Sequence, residues 1–242
     1  MASPNGRGPE LLAIEGVHAG YRRRAVVYDV SMSVRAGEIV TVLGHNGAGK
    51  TTTMKTAFGL LRPMQGKVTY LGEDVSNANC ARRVAMGMSY TPAERFVFPD
   101  LPVHVNLRLG ALREPSREER ARRAERVYEL FPILQERGDQ LAGTFSGGQQ
   151  RILSVGMALM SDPKLMLFDE PSLGVSPAIV QQILTALRRM ADEDGRAIVM
   201  LEQNVGHALR EADRVYVMRS GSVILEESAE EMRQREHWWD LF

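Results

Sequence analysis

The sequence predicts an α/β fold in which a largely parallel sheet is covered by helices. Three observations carry this. From residue 146 onward, apolar runs at 164–168 and 197–201 alternate with helical patterns at 146 onward, 177–190 and 204–211, before strands near 214–218 and 222–226; alternation on this scale builds βαβ units with parallel strands. The run EIVTVL at 38–43 is almost continuously apolar and ends in glycines, which suits a strand buried on both faces. At 242 residues, 44% of them hydrophobic, the chain is long enough for one large core, so a single domain is expected over 10–242.

In chain order, residues 1–9 are polar and rich in Pro and Gly and are expected to be a disordered tail. Residues 11–17 and 26–34 read as strands, the second with alternating polarity, and 50–58 reads as a helix stopped by Gly59 and Pro63. A short strand near 67–70 and a turn at 72–74 follow. Between 95 and 145 strand patterns vanish and SREERARRAERVYELF places Val127, Leu130 and Phe131 on one face of a charged helix, so a helical lobe is expected at about 95–150. Its charge run is read as a solvated face with pairs such as Glu119 and Arg123 at i, i+4. The terminal pair Trp238 and Trp239 is expected to dock on the core.

The 30 basic and 30 acidic residues cancel, which removes the positive field that nucleic-acid binding uses, so no nucleic-acid partner is expected. One cysteine, Cys80, forms no internal disulfide, the start MASPNGRGPE has no signal-peptide core, and no apolar run nears the roughly 18 residues that span a bilayer. A cytosolic chain that meets membranes only through partner subunits is the expectation.

Chemistry enters at 44–52, where Gly44, His45, Asn46, Gly47, Ala48, Gly49, Lys50, Thr51 and Thr52 fit G-x-x-x-x-G-K-[ST] between a buried strand and a helix start. Glycines let successive N–H groups and the positive helix end face phosphate oxygens; Lys50 would neutralise the outer phosphates and the Thr51 hydroxyl would ligate Mg²⁺. A second segment, FSGGQQR, begins a helix at Ser146, followed by Gly147, Gly148 and Gln149. A third, DEPSLGVSP, puts Asp169 and Glu170 at the end of an apolar strand, either as an ordinary strand end or as a metal and base pair.

Together these motifs resemble the ATP-binding cassette (ABC) family, whose signature LSGGQ differs here only in Phe145, and the resemblance runs from about residue 11 to 240. It implies a P-loop NTPase with a RecA-like core, an N-terminal antiparallel β subdomain at about 10–75 and a helical subdomain, hydrolysing Mg·ATP. It also implies that Tyr21 stacks on adenine, that Asp169 holds Mg²⁺, that Glu170 is the base for the attacking water, and that Ser146 to Gln149 contact the ATP of a second cassette. The implied partners are that second ATPase subunit, two integral-membrane permeases and, indirectly, a periplasmic solute-binding protein, at the cytoplasmic face of the membrane.

Three positions depart from the general family pattern. Ala93 stands where a glutamine usually follows the loop proline, leaving Glu94 as the nearest residue able to contact metal or water. Gln203 stands where most cassettes have a γ-phosphate-contacting histidine, and Ser176 where many have aspartate. Both E-Q-N at 202–204 and DEPSLGVSP are similar to the branched-chain amino acid importer ATPases, which pair two different ATPases; urea-type uptake systems, a soluble cassette protein and a P-loop kinase or switch are the rivals. Phe96, Val97, Phe98 and Pro99 are expected to offer apolar surface to a short permease helix.

Overall fold

The structure, a computed structural model, describes residues 8–94, 97–235 and 241. Its strands are β1 (Glu10–Tyr21), β2 (Arg24–Arg35), β3 (Ile39–Leu43), β4 (Gln65–Tyr70), β5 (Glu73–Asp74), β6 (Met88–Thr91), β7 (Leu165–Asp169), β8 (Ala197–Glu202), β9 (Arg214–Arg219) and β10 (Ser222–Ser228). The helices are α1 (Lys50–Phe58), α2 (Cys80–Ala85), α3 (Val103–Gly110), α4 (Arg117–Leu130), α5 (Ile133–Glu136), α6 (Gly147–Met160), α7 (Pro177–Asp194), α8 (Val205–Glu211) and α9 (Ala229–Gln234).

Two sheets form. One is antiparallel, in the order β2-β1-β4-β5; the other runs β10-β9-β3-β8-β7-β6, parallel from β9 to β6 with β10 reversed at its edge. Side chains alternate across β7 and β8, and the two faces serve different cores. Met166, Phe168, Ile198 and Met200 pack with α3, α4, α6 and α7, whereas Leu165, Leu167, Val199 and Leu201 pack toward α1 and the antiparallel sheet. This two-sided burial explains why the runs at 38–43, 164–168 and 197–201 lack polar alternation.

The sheets are tied at one edge. Tyr28 N–H donates to Gly221 O at 2.8 Å and the Ser222 hydroxyl to Tyr28 O at 3.1 Å. The first hairpin runs further than expected, because Arg22 and Arg23, both at positive φ, close it in a two-residue turn and leave Tyr21 as the last residue of β1. Residues 103–160 form the helical lobe, in which α6 packs against α3 and α4. On α4 the expected pair is present, Arg123 Nε reaching Glu119 Oε1 at 2.8 Å, on the solvent side of a stripe that buries Val127 and Leu130. Strand β6 and helices α2 and α9 are additions to the elements expected from the sequence. The chain end around Trp238 and Trp239, most of the 1–9 tail, and Phe96 lie outside the described residues.

The far end of α1 is fixed by Arg83, which is fully buried. Its guanidinium donates to Thr56 O and Ala57 O in the last turn of α1 at 2.7 and 2.5 Å, and to Val75 O just after β5 at 2.5 Å, tying the helix end to the segment before α2. Helix α1 therefore points its N-terminus, and the loop before it, at the C-terminal edge of the parallel strands, where open α/β sheets bind ligands.

Candidate functional site

Between β3 and α1 the backbone wraps into a loop that only glycine supports. Gly47 and Gly49 have φ of 83° and 105°, and a Cβ on Gly49 would lie 2.7 Å from Val27 Cγ1, so this loop is also wedged against β2. Lys50, 5% exposed, folds its side chain back over the loop and donates to Gly44 O at 2.6 Å and His45 O at 3.2 Å. Burial pulls the Lys50 pKa below its ordinary value, opposed by Glu170, Asp169 and Glu202. A hollow of about 240 Å³ lined by His45, Asn46, Gly47, Ala48, Met218 and Ser220 opens beside it.

Strand β7 delivers the two carboxylates opposite this loop. Asp169 is buried, and its Oδ2 accepts from the Thr51 hydroxyl at 3.0 Å and from the Tyr90 hydroxyl at 3.1 Å. Burial pushes the Asp169 pKa up while these two donors pull it down. Glu170 follows in the left-handed region with φ of 48°, a conformation that costs a non-glycine residue about 1 kcal/mol. Its N–H donates to Leu201 O at 3.0 Å, and its Oε1 lies 3.9 Å from Lys50 Nζ. From the end of β8, Gln203 Nε2 donates both to Glu170 Oε1 and to Asn46 Oδ1, the latter at 2.8 Å. Gln203 thus joins the base candidate to the phosphate loop.

A further carboxylate stands at this edge. Glu202, 3% exposed and in register with Leu43, accepts from Ser172 N–H at 3.2 Å and from the Ser172 hydroxyl at 2.8 Å. Burial pushes its pKa from 4.5 up to about 7. The folded protein therefore keeps a proton that the unfolded chain has already released, and stability attributable to this group falls as pH rises from about 4.5 to about 7. Glu202→Gln, which does not titrate, is expected to gain on the wild type across that window, by up to about 3 kcal/mol at ~1.4 kcal/mol per pKa unit. Urea unfolding of both proteins at pH 5 and pH 7.5 measures the difference; a gap that does not widen with pH refutes the assignment.

The SGGQ segment lies on the helical lobe. Ser146 caps α6: its hydroxyl accepts from Gln149 N–H at 3.3 Å, and its own N–H donates to Gln149 Oε1 at 2.9 Å. Phe145 is buried in the lobe core, as an apolar replacement for leucine should be. Among the described residues, Ser146, Gly147, Gly148 and Gln149 make no hydrogen bond to the glycine loop at 44–52. Tyr21 is 44% exposed and near enough to Tyr90 to add to the rise in that phenol's pKa, which burial chiefly causes. Glu94 is exposed in the bend after β6 and has no hydrogen bond or ion pair to the Asp169 group among the described residues.

A glycine cradle on a helix end, a buried lysine, a strand-end carboxylate pair and a separate capped SGGQ helix form one pattern, and residues 27–173 match the family described as "ABC transporter". The chain belongs to that family. It is 38% identical over 218 residues to the "High-affinity branched-chain amino acid transport ATP-binding protein BraG" of Pseudomonas aeruginosa, covering 90% of this chain and 93% of that one. It is 36% identical over 231 residues to the "Lipopolysaccharide export system ATP-binding protein LptB" of Haemophilus influenzae, covering 93% and 94%. An ATP-binding cassette of an ABC transporter solved in its ADP conformation aligns with a TM-score of 0.85 at 25% identity, over 96% of this chain and 98% of that one. As an ABC transporter ATPase the chain binds and hydrolyses ATP, and such cassettes work as dimers with membrane permeases. Among its described residues no helix is long and apolar enough to cross a membrane.

Some contacts at the site escaped the sequence reading. Tyr90 donates to Asp169, 79 residues away along the chain, and Asn46, read only as part of the loop, accepts from Gln203, 157 residues away. Arg151, 1% exposed and just past SGGQ, donates to the carbonyls of Pro92 and Ala93, tying the signature helix to the loop that carries Glu94. Glu202 did have a signal: β7 (LMLFD) and β8 (AIVMLE) are both apolar runs that end on a carboxylate.

Proposed function

We propose that this ABC ATPase powers an importer for branched-chain or related amino acids. The observation that carries it is Gln203, within the E-Q-N that resembles those importer ATPases, standing where most cassettes have a histidine and bonded here to Glu170. The similarity to BraG supports the same reading. Export is the second reading, favoured by the similarity to LptB. Deleting the gene and measuring uptake of labelled leucine, alongside outer-membrane permeability, separates them: lost uptake with an intact envelope is expected, and the reverse pattern overturns import.

In this reading the glycine loop and the α1 N-terminus hold the ATP phosphates through backbone N–H groups and Lys50, and Tyr21 covers adenine. The donors facing the phosphates fit Mg²⁺: Thr51 and Asp169 form an all-oxygen pair 3.0 Å apart. When bound, Mg²⁺ neutralises charge on the outer phosphates. Glu170 takes the proton of the attacking water, and Gln203, whose two amide N–H groups go to Glu170 Oε1 and Asn46 Oδ1, holds the Glu170 carboxylate in place. Glu94 is the remaining candidate contact to metal or water. Ser146 to Gln149 serve the ATP held by a second cassette, taken to be a paralogue; two permeases and a solute-binding protein complete the assembly at the cytoplasmic face of the membrane, without nucleic acid.

Closure of the two cassettes would reach the permeases through an apolar groove of about 460 Å³ whose walls include Phe58, Tyr90, Phe98, Leu109, Leu112 and Met157. Phe98 and Leu112, 41% and 73% exposed, present apolar surface at this groove. Phe98→Ser with Leu112→Ser is expected to cut transport by roughly tenfold or more, since each lost apolar anchor is worth about 1.5 kcal/mol or more, while ATP binding persists. Intact transport in the double variant sinks the groove assignment.

A further inference from the structure

We propose that Glu202 is a positioning residue for hydrolysis: by gripping Ser172 it holds the turn that sets the Glu170 carboxylate. The proposal rests on Glu170 being the base and is independent of what is transported. Glu170 adopts a left-handed backbone conformation that a glutamate does not take unless its surroundings impose it. One tether is the Glu170 N–H to Leu201 O bond at 3.0 Å, from the last turn of β7 to β8. That bond alone leaves the chain free to pivot, because the next fixed element is α7, which starts only at Pro177.

Glu202 supplies the second tether. It sits one residue beyond Leu201 on the same strand, and both of its oxygens are committed, Oε1 to Ser172 N–H and Oε2 to the Ser172 hydroxyl. Leu173 N–H then closes back on Glu170 O at 3.1 Å, so the turn 170–173 is held at both ends by β8. The residue after Glu202 is Gln203, whose amide contacts the Glu170 side chain. Backbone, turn and side chain of Glu170 are thus all referred to three consecutive residues, Leu201 and Glu202 at the buried end of β8 and Gln203 just past it. A carboxylate at 3% exposure is costly to bury, and nothing in substrate binding accounts for it, since both oxygens point at the turn.

The effect belongs on turnover, not on nucleotide affinity, because the phosphate loop hangs from β3 and α1 and does not depend on the 170–173 turn. Steady-state ATPase and nucleotide-binding assays on the full chain test this. Glu202→Ala is expected to lower kcat about 10- to 100-fold with KM changed less than about threefold. Glu202→Gln is expected to restore kcat to within about threefold, since its amide oxygen accepts the Ser172 N–H while its NH₂ donates to the hydroxyl oxygen. Ser172→Ala, a small change on the surface side that leaves folding intact, removes only the hydroxyl contact and is expected to lower kcat by about three- to tenfold. The double variant is expected to be no slower than Glu202→Ala, because both changes break one contact. Unchanged kcat in Ser172→Ala, additive losses in the double variant, or a loss carried by KM each overturns the proposal. Full turnover in Glu170→Gln would instead overturn the base assignment on which it rests, so the two failures are distinguishable.

Discussion

Glu170→Gln is expected to lower kcat by about 10²- to 10⁴-fold, the usual contribution of a positioned general base, while leaving ATP affinity within a few-fold of the wild type. The substitution is nearly isosteric, so the turn and its left-handed φ of 48° are retained. What changes is that an amide cannot accept the proton of the attacking water. The local hydrogen bonds survive, because the new amide oxygen still accepts from Gln203 Nε2, which also holds Asn46 Oδ1 at 2.8 Å. Lys50 loses a carboxylate 3.9 Å away but keeps its two carbonyl partners. Phosphate release from radiolabelled ATP measures the turnover and equilibrium nucleotide binding measures the affinity. A kcat within about threefold of the wild type would assign the base elsewhere, and Glu94 is the other carboxylate the loop offers.

The parts of this molecule that were legible in the sequence are those whose physics is local. Strands β3, β7 and β8 showed as continuous apolar runs because each is covered on both faces, and α1 showed because Gly59, at φ of 85°, stops it. Strand β6 did not show: of its four residues only Met88 and Thr91 are buried, on opposite faces, with Ser89 and Tyr90 half-buried. The phosphate loop was legible because an anion cradle imposes glycine at fixed spacing. Asp169 and Glu170 were legible as carboxylates at a strand end, yet nothing local could say that Tyr90 donates to one and Gln203 to the other, since sheet order decides those meetings. The parallel order β3-β8-β7-β6 is what brings the ends of four strands, far apart in the chain, to one edge.

Lys50→Met is expected to separate binding from folding at the same side chain. For folding, the ammonium is a liability: at 5% exposure, burial pulls its pKa below 10.5, so the folded protein binds fewer protons than the unfolded chain as pH approaches that value. Its penalty is therefore fully present below the folded pKa and is relieved as pH rises through it toward 10.5. Methionine fills similar volume without charge, removing that penalty while leaving the carbonyls of Gly44 and His45 without the donor they had at 2.6 and 3.2 Å. The two changes oppose each other, and stability is expected to stay within about 1 kcal/mol of the wild type. Nucleotide affinity has no such compensation. A charge-assisted hydrogen bond to phosphate is worth about 1.5–3 kcal/mol, so ATP binding is expected to weaken by about 10- to 100-fold or more. Thermal unfolding without nucleotide and titration with a fluorescent ATP analogue read the two effects separately. A melting temperature lowered by more than about 10 °C with affinity intact would make Lys50 a brace for its loop and leave the phosphates to the backbone N–H groups and the helix end alone.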